Sequence, residues 1–284
     1  MLIFRPRATI LTLYGDYVRH RGGEIGIGGL IELLANFSLS EQSIRSAVSR
    51  MSRAGLFKVR HNGLRSYYSL TEAGFDLLDK GAQRIFERKT SGWDGTWSVV
   101  VYFIPEEKRE ARDKLRQELN WAGYGPLSTA TWISPHDSSR EIAEIIARLQ
   151  IKEYVQMFKA KLRDFTNPQS IISRCWDLHL IHEKYASFLN EYSSKLEDYQ
   201  GRFQDGEPIE ASWCFVERFK LIHQYRRLPF FDPDLPEELL PKDWLRSQAA
   251  DLFHQYHDLL AEKANEYFEF VFNQYNEPQL SNRN

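Results

Sequence analysis

No run of about 18 apolar residues occurs in the chain, so no membrane span is expected, and the opening MLIFRPRATI lacks the continuous apolar region and small-residue cleavage site of a secretory signal. The cytoplasm is the expected location. Cysteine is scarce: Cys175 and Cys214 are the only two in 284 residues, too few for a disulfide framework, and packing is their expected role. Motifs that announce chemistry are also missing. The chain has no GxSxG nucleophile elbow, no GxxxxGK[ST] phosphate loop and no GxGxxG after a strand. The glycines from Gly22 to Gly29 lie between two helical patterns and are expected to punctuate a loop.

Metal-binding patterns fare no better. Cys175, His179 and His182 share a face if one helix carries all three, but no paired Cys or His motif completes a ligand set. They are expected to be packed or satisfied locally, as are His254 and His257. The acid pairs Glu106-Glu107 and Glu237-Glu238 follow prolines at helix starts, where they complement the helix dipole. Neither a metal nor a cofactor is expected.

What the chain does have is 42% hydrophobic residues, enough to bury the cores of two or three domains. Its charge is unevenly placed. Residues 1–89 carry 14 Lys+Arg against 8 Asp+Glu, a net of +6, and the remainder carries 23 against 31, a net of -8. A basic front joined to an acidic body fits a reader of polyanions attached to a sensing or assembly module.

Periodicity divides the chain into three segments. In residues 1–90, helical spacing covers 7–20, 28–37 and 41–54, with Ser40 placed as the cap of the third helix. Strand-like runs at 56–61 and 64–70 flank Asn62-Gly63, a hairpin turn, and Thr71 caps a further helix to about Arg88. This order is a winged helix-turn-helix. Residues 91–165 give a strand at 97–104, a helix at 106–122, strand at 127–133, a helix at 138–149 and a strand at 153–158. That sequence of elements describes a ferredoxin-like domain. From 166 to 284 the pattern is helical, at 169–200, 208–227 and 243–274. The fold class is therefore α+β.

The helix from Glu41 to Ala54 carries the chemistry. Ile44, Ala47, Val48 and Met51 fall in one stripe, and Gln42, Arg45, Ser46, Ser49, Arg50 and Arg53 lie opposite. A helix that enters the major groove of double-stranded DNA requires this division, with apolar groups holding it to the domain and guanidinium and amide groups reaching base edges. Arg45 and Ser49 are expected to read bases. Arg50 and Arg53 are expected on phosphates, or one of them in an intramolecular ion pair. Lys58, Arg60, His61 and Arg65 of the wing are expected to neutralise backbone phosphates.

With these segments in place the chain resembles the PaaX family of bacterial repressors of phenylacetate degradation. The residues that carry the resemblance are RATILTLYGDYVRHRGGEIGIGGLIELLANFSLSEQSIRSAVSRMSRAGLF near the start, CWDL at 175–178 and RLPFFDPDLPEELLPKDW at 227–244. The resemblance implies repression of an aromatic-acid catabolic operon, relieved when phenylacetyl-CoA or a related aryl-acyl-CoA binds. The run VVVYFIPEEKREARDKL is similar to the CRISPR-associated Cas2 fold, in which an aspartate near the end of the first strand serves proposed metal-dependent nuclease chemistry. Phe103 stands at that position here and cannot ligate a hard cation. The central segment is therefore expected to be a dimerisation scaffold without catalysis.

An acyl-CoA effector needs cationic donors for its phosphates and an aromatic pocket for its ring. Arg174, Trp176, Trp213, Arg218, Arg226 and Arg227 of the helical segment supply both. The expectation is a homodimer that binds an inverted-repeat operator and an aryl-acyl-CoA. Its rivals are a metal-dependent nuclease and a winged-helix assembly factor.

Overall fold

A computed structural model describes residues 3–86, 92–163 and 167–276. Two compact units are found, one from Met1–Glu87, Phe188–Arg227 and Ser247–Asn284, the other from Arg88–Ser187 and Leu228–Arg246. Helices that follow residue 166 are thus divided between the units.

In the first unit α1 (Pro6–Asp16) opens with proline, whose missing N–H is harmless in a first turn. It ends four residues before the expected His20, because Val18–Arg21 tightens into a 3-10 turn and Gly22 takes a left-handed φ of 82°. The expected loop after it contains a strand, β1 (Glu24–Gly26), followed directly by α2 (Ile27–Ala35) and α3 (Glu41–Arg53). Strands β2 (Phe57–Asn62) and β3 (Arg65–Leu70) form the hairpin, and β1 pairs antiparallel with the other edge of β3. Asn62 pairs with Arg65, so the two loop residues are Gly63 and Leu64, one place later than the sequence indicates; Gly63 supplies the positive φ, 58°. α4 (Glu72–Phe86) begins under the Thr71 hydroxyl, which accepts from the Gly74 N–H at 3.1 Å. Ile10, Leu13, Leu30, Leu33, Ile44 and Val48 are fully buried at the centre of this winged helix.

The second unit is a four-stranded antiparallel sheet, β4 (Thr96–Tyr102), β5 (Gly125–Ser128), β6 (Thr131–Ser134) and β7 (Val155–Lys161), in the order β5-β6-β4-β7. The single expected middle strand is two, joined at residues 129–130, which completes the ferredoxin-like β-α-β-β-α-β order. Helices α5 (Arg109–Trp121) and α6 (Ser139–Arg148) cover one face, against Val100, Tyr102 and Ile104. The opposite face buries Trp97 and Ile133 with Ile172 and Cys175 of α7 (Pro168–Cys175) and with Leu235 and Leu239. Burial on both faces is why the run Val99–Tyr102 of β4 is apolar rather than alternating, while the buried Ser98 hydroxyl is satisfied by Tyr124 Oη at 2.7 Å.

The helical segment continues with α8 (Leu178–Gln204), α9 (Ala211–Tyr225), the short α10 (Leu228–Phe231), α11 (Arg246–Leu259) and α12 (Ala261–Asn276). Where one helix was expected over 169–200, the chain breaks at Trp176-Asp177, and the Asp177 carboxylate accepts from the Leu180 N–H at 2.9 Å to start a new one. Cys175 consequently lies on α7 and His179 and His182 on α8, so the three do not share a helix. Burial pushes the Cys175 thiol up to about 11, in keeping with a packed thiol.

Candidate nucleic-acid interface

The recognition surface is built by α3. The Ser40 hydroxyl accepts from the Ser43 N–H at 3.3 Å, and Glu41 occupies the positive end of the helix dipole. Ile44, Ala47, Val48 and Met51 are each 2% exposed or less, which fixes the rotation of the helix. Gln42, Arg45, Ser46, Ser49, Arg50 and Arg53 are therefore all presented to solvent.

The ion pair expected at Arg50 or Arg53 is found at Arg45 instead, whose Nε lies 2.7 Å from Glu41 Oε1. The reason is spacing: Glu41 is the only acid on the helix, and Arg45 sits one turn after it. Both groups are more than half exposed, so the pair is worth under about 1 kcal/mol and can open for a base edge. No acid pairs with Arg50, Arg53 or Lys58 among the described residues.

In the wing, Lys58 is exposed and Arg65 half-buried, while Arg60 has a different commitment. Its guanidinium crosses β3, stacks over the Tyr67 ring at 4.3 Å and meets Glu24 of β1 at 2.6 Å. Glu24 was not visible as a partner from the sequence because β1 was not. Arg60 thus ties the wing to β1. His61 Nδ1 lies 3.1 Å from the Ser66 hydroxyl within the same hairpin.

Helix α12 braces this domain from behind. The Asn276 carboxamide accepts from the Gly26 N–H at 2.8 Å and donates to the Glu24 carbonyl at 3.1 Å, covering the free edge of β1. Gly28 is required beneath it, since a Cβ there would lie 2.4 Å from the Tyr275 ring.

The six residues expected to hold an effector are spread over both units. Arg174 and Trp176 belong to the second, where Arg174 is exposed and Trp176 packs in the core. Trp213, Arg218, Arg226 and Arg227 belong to the first. Arg218 is buried and already engaged: its Nη1 lies 3.1 Å from Asp16 Oδ2, and its Nε donates to the His257 carbonyl at 3.1 Å. His257 Nε2 lies 3.0 Å from the other oxygen of Asp16. Burial pushes the Asp16 carboxyl up, but the His257 hydrogen bond and the Arg218 charge outweigh it and leave the pKa below its ordinary value. Arg218 is therefore a structural cation, unavailable to a phosphate. Trp213 and Arg227 are exposed, and Arg226 is half-buried.

Residues 228–244 of the distinctive block fold into a polar knot in the second unit. Asp232 is buried, accepts from Tyr185 Oη at 2.9 Å and pairs with Arg246, which also reaches Asp234 at 2.8 Å. Its role is structural. Among the described residues no cluster of His, Cys, Asp or Glu could hold a metal, and no helix is long and apolar enough to cross a membrane.

Comparison with known proteins supplies the wider setting. Residues 5–74 match the PaaX-like protein family, 90–172 the PaaX protein central Cas2-like domain and 176–270 the PaaX-like protein C-terminal domain. Transcriptional repressor PaaX of Escherichia coli (strain K12) is 30% identical over 251 residues, covering 86% of this chain and 76% of that protein. Uncharacterized protein Rv0674 from Mycobacterium tuberculosis shares the fold, with a TM-score of 0.59 at 22% identity over 94% of this chain and 98% of that one.

Proposed function

This chain belongs to the PaaX family of transcriptional repressors, and on that premise we propose that it represses an aromatic-acid, phenylacetate-type catabolic operon from an inverted-repeat operator. The observation that carries the proposal is α3, with a fully buried apolar stripe and an exposed face on which no acid follows Glu41. In this reading Arg45 and Ser49 read base edges, Gln42 and Ser46 support them, and Arg50, Arg53, Lys58 and Arg65 contact phosphates. The protein works in the cytoplasm as a homodimer, with residues 1–90 on DNA, 91–165 as the dimerisation scaffold and 166–284 binding the effector. The effector is phenylacetyl-CoA or a related aryl-acyl-CoA, which lowers operator affinity by favouring the DNA-free arrangement.

Gel shifts with operator fragments test this. The expected result is binding that weakens steeply with salt and is reversed by phenylacetyl-CoA but not by free phenylacetate. Binding that is insensitive to salt would mark the winged helix as a protein-docking module instead. The base-reading role has its own test: Arg45→Ala should cost about 1–3 kcal/mol of binding and relax specificity at one operator position. Lys58→Ala should weaken all sequences alike and lower the salt slope by about one.

A further inference from the structure

Leu64 is the most exposed large apolar side chain among the described residues, at 106% of its reference area. It stands at the tip of the wing, and the turn does not require it there. Asn62 pairs with Arg65, which leaves a two-residue loop whose one positive φ, 58°, belongs to Gly63. A loop of this kind needs glycine at its first position and sets no demand for leucine at its second. A lone exposed leucine is commonplace on a protein surface; what sets this one apart is the arm that carries it.

The root of the hairpin is anchored, with Phe57, Tyr67 and Leu70 buried and the Phe57 ring 4.6 Å from that of Tyr14. Beyond Phe57 all five residues of β2 are exposed, so roughly 16 Å of strand projects from the domain. This arm is braced from within. Arg60 stacks over Tyr67 and pairs with Glu24 of β1, and His61 Nδ1 lies 3.1 Å from the Ser66 hydroxyl. Bracing of this kind fixes the tip before a partner arrives and lowers the entropy that binding must overcome.

Charge decides what the partner is. Neither β2 nor β3 contains an acid, Lys58 lies exposed on the arm, Arg65 follows the tip directly, and residues 1–89 carry a net charge of +6. A cationic ribbon with an apolar tip suits duplex DNA, and with α3 in the major groove the groove left to the wing is the minor one. There A·T pairs present acceptors alone, whereas a G·C pair adds the guanine N2 amino group. That group stands in the path of a branched apolar side chain and would be stripped of water by it with no acceptor in return. We propose that Leu64 is a minor-groove contact through which this protein selects A·T over G·C pairs beside the segment read by α3. The proposal rests on the reading of α3 as a DNA-recognition helix.

The test uses the full chain and a duplex that it selects from a randomised pool, with the pairs outside the α3 segment set one at a time to A·T, G·C or inosine·cytosine. Inosine·cytosine keeps the major-groove pattern of G·C but lacks the minor-groove amino group, so it isolates the groove being read. At one or more flanking positions the wild type is expected to bind A·T and inosine·cytosine alike and G·C about tenfold more weakly. Leu64→Ala should bind the A·T duplex about five- to tenfold more weakly than the wild type and lose the discrimination against G·C. Its salt slope should be unchanged, since no phosphate contact is removed. Leu64→Met should keep the discrimination, and both variants should melt with the wild type because the side chain is fully exposed. The proposal is overturned if the wild type treats inosine·cytosine and G·C alike at every flanking pair, if Leu64→Ala retains the wild-type discrimination, or if its loss of affinity comes with a reduced salt slope. A protein that selects no duplex at all loses the α3 reading and this proposal with it. One that selects a duplex but binds it equally well as Leu64→Ala keeps that reading and loses this proposal alone.

Discussion

The two compact units solve the same problem, holding together segments far apart in sequence, the first by adding polar contacts to an aromatic joint (Phe37 on Phe219, Tyr17 on Phe268), the second mainly by apolar layers. In the first, the joints between the winged helix and the C-terminal helices include buried polar contacts: Asp16 with Arg218 and His257, Thr12 with His223, Asn276 with the edge of β1. In the second, the sheet is pressed between two apolar layers, and its main polar knot, at Asp232, organises one proline-rich strap. Apolar layers are forgiving of small shifts, whereas a hydrogen-bonded ion pair is geometry-specific.

The largest test of this contrast is Asp16→Ala, which leaves Arg218 buried without its acid. A loss of about 3–5 kcal/mol is expected, read as lowered hydrogen-exchange protection in α1, α9 and α11 while β4 to β7 keep theirs. Equal loss in both units would erase the distinction. Next comes Gly125→Ala in the second unit, where a Cβ would lie 2.6 Å from the Trp176 ring and 2.7 Å from the Cys175 Cβ. Overpacking of this kind costs about 1–3 kcal/mol, measured by urea unfolding, and should spare the first unit.

A smaller effect, read over the single pH unit below 6.5, is a pH dependence of the first unit. Burial, reinforced by Arg226 and Arg227, lowers His223 from 6.5 to about 3, so the unfolded chain takes up this proton first. Stability is then complete above pH 6.5 and declines as pH falls toward 3, by at most about 1.4 kcal/mol per pH unit. The profile of His223→Gln should be flatter than the wild type's between pH 6.5 and about 5.5. A profile unchanged by the substitution would remove His223 from the account.

Recognition of the winged helix from sequence worked where a period was long enough to see. Thirteen residues of α3 show one apolar stripe and one cationic face, and the cap at Ser40 marks the start. Three residues of β1 carry no period, and glycines on either side disguised them as loop. Missing β1 hid Glu24, and with it the commitment of Arg60. Arg218 was misjudged for a related reason: Asp16 lies some two hundred residues earlier, and nothing local distinguishes a neutralised arginine from a free one. Local order is legible in a chain, while the partners of its charges are settled by topology.

The carboxamide of Asn276 has one more consequence. A three-residue edge strand ordinarily offers its unpaired N–H and C=O groups to any extended chain that drifts past, including the same strand of another molecule. Here one side chain occupies the Gly26 donor and the Glu24 acceptor together, so the last described helix blocks the edge against self-recruitment. Losing that single amide, by trimming before residue 276 or by its slow hydrolysis to a carboxylate that cannot donate, would leave β1 adhesive, and the winged helix would become prone to edge-to-edge association as its concentration rises.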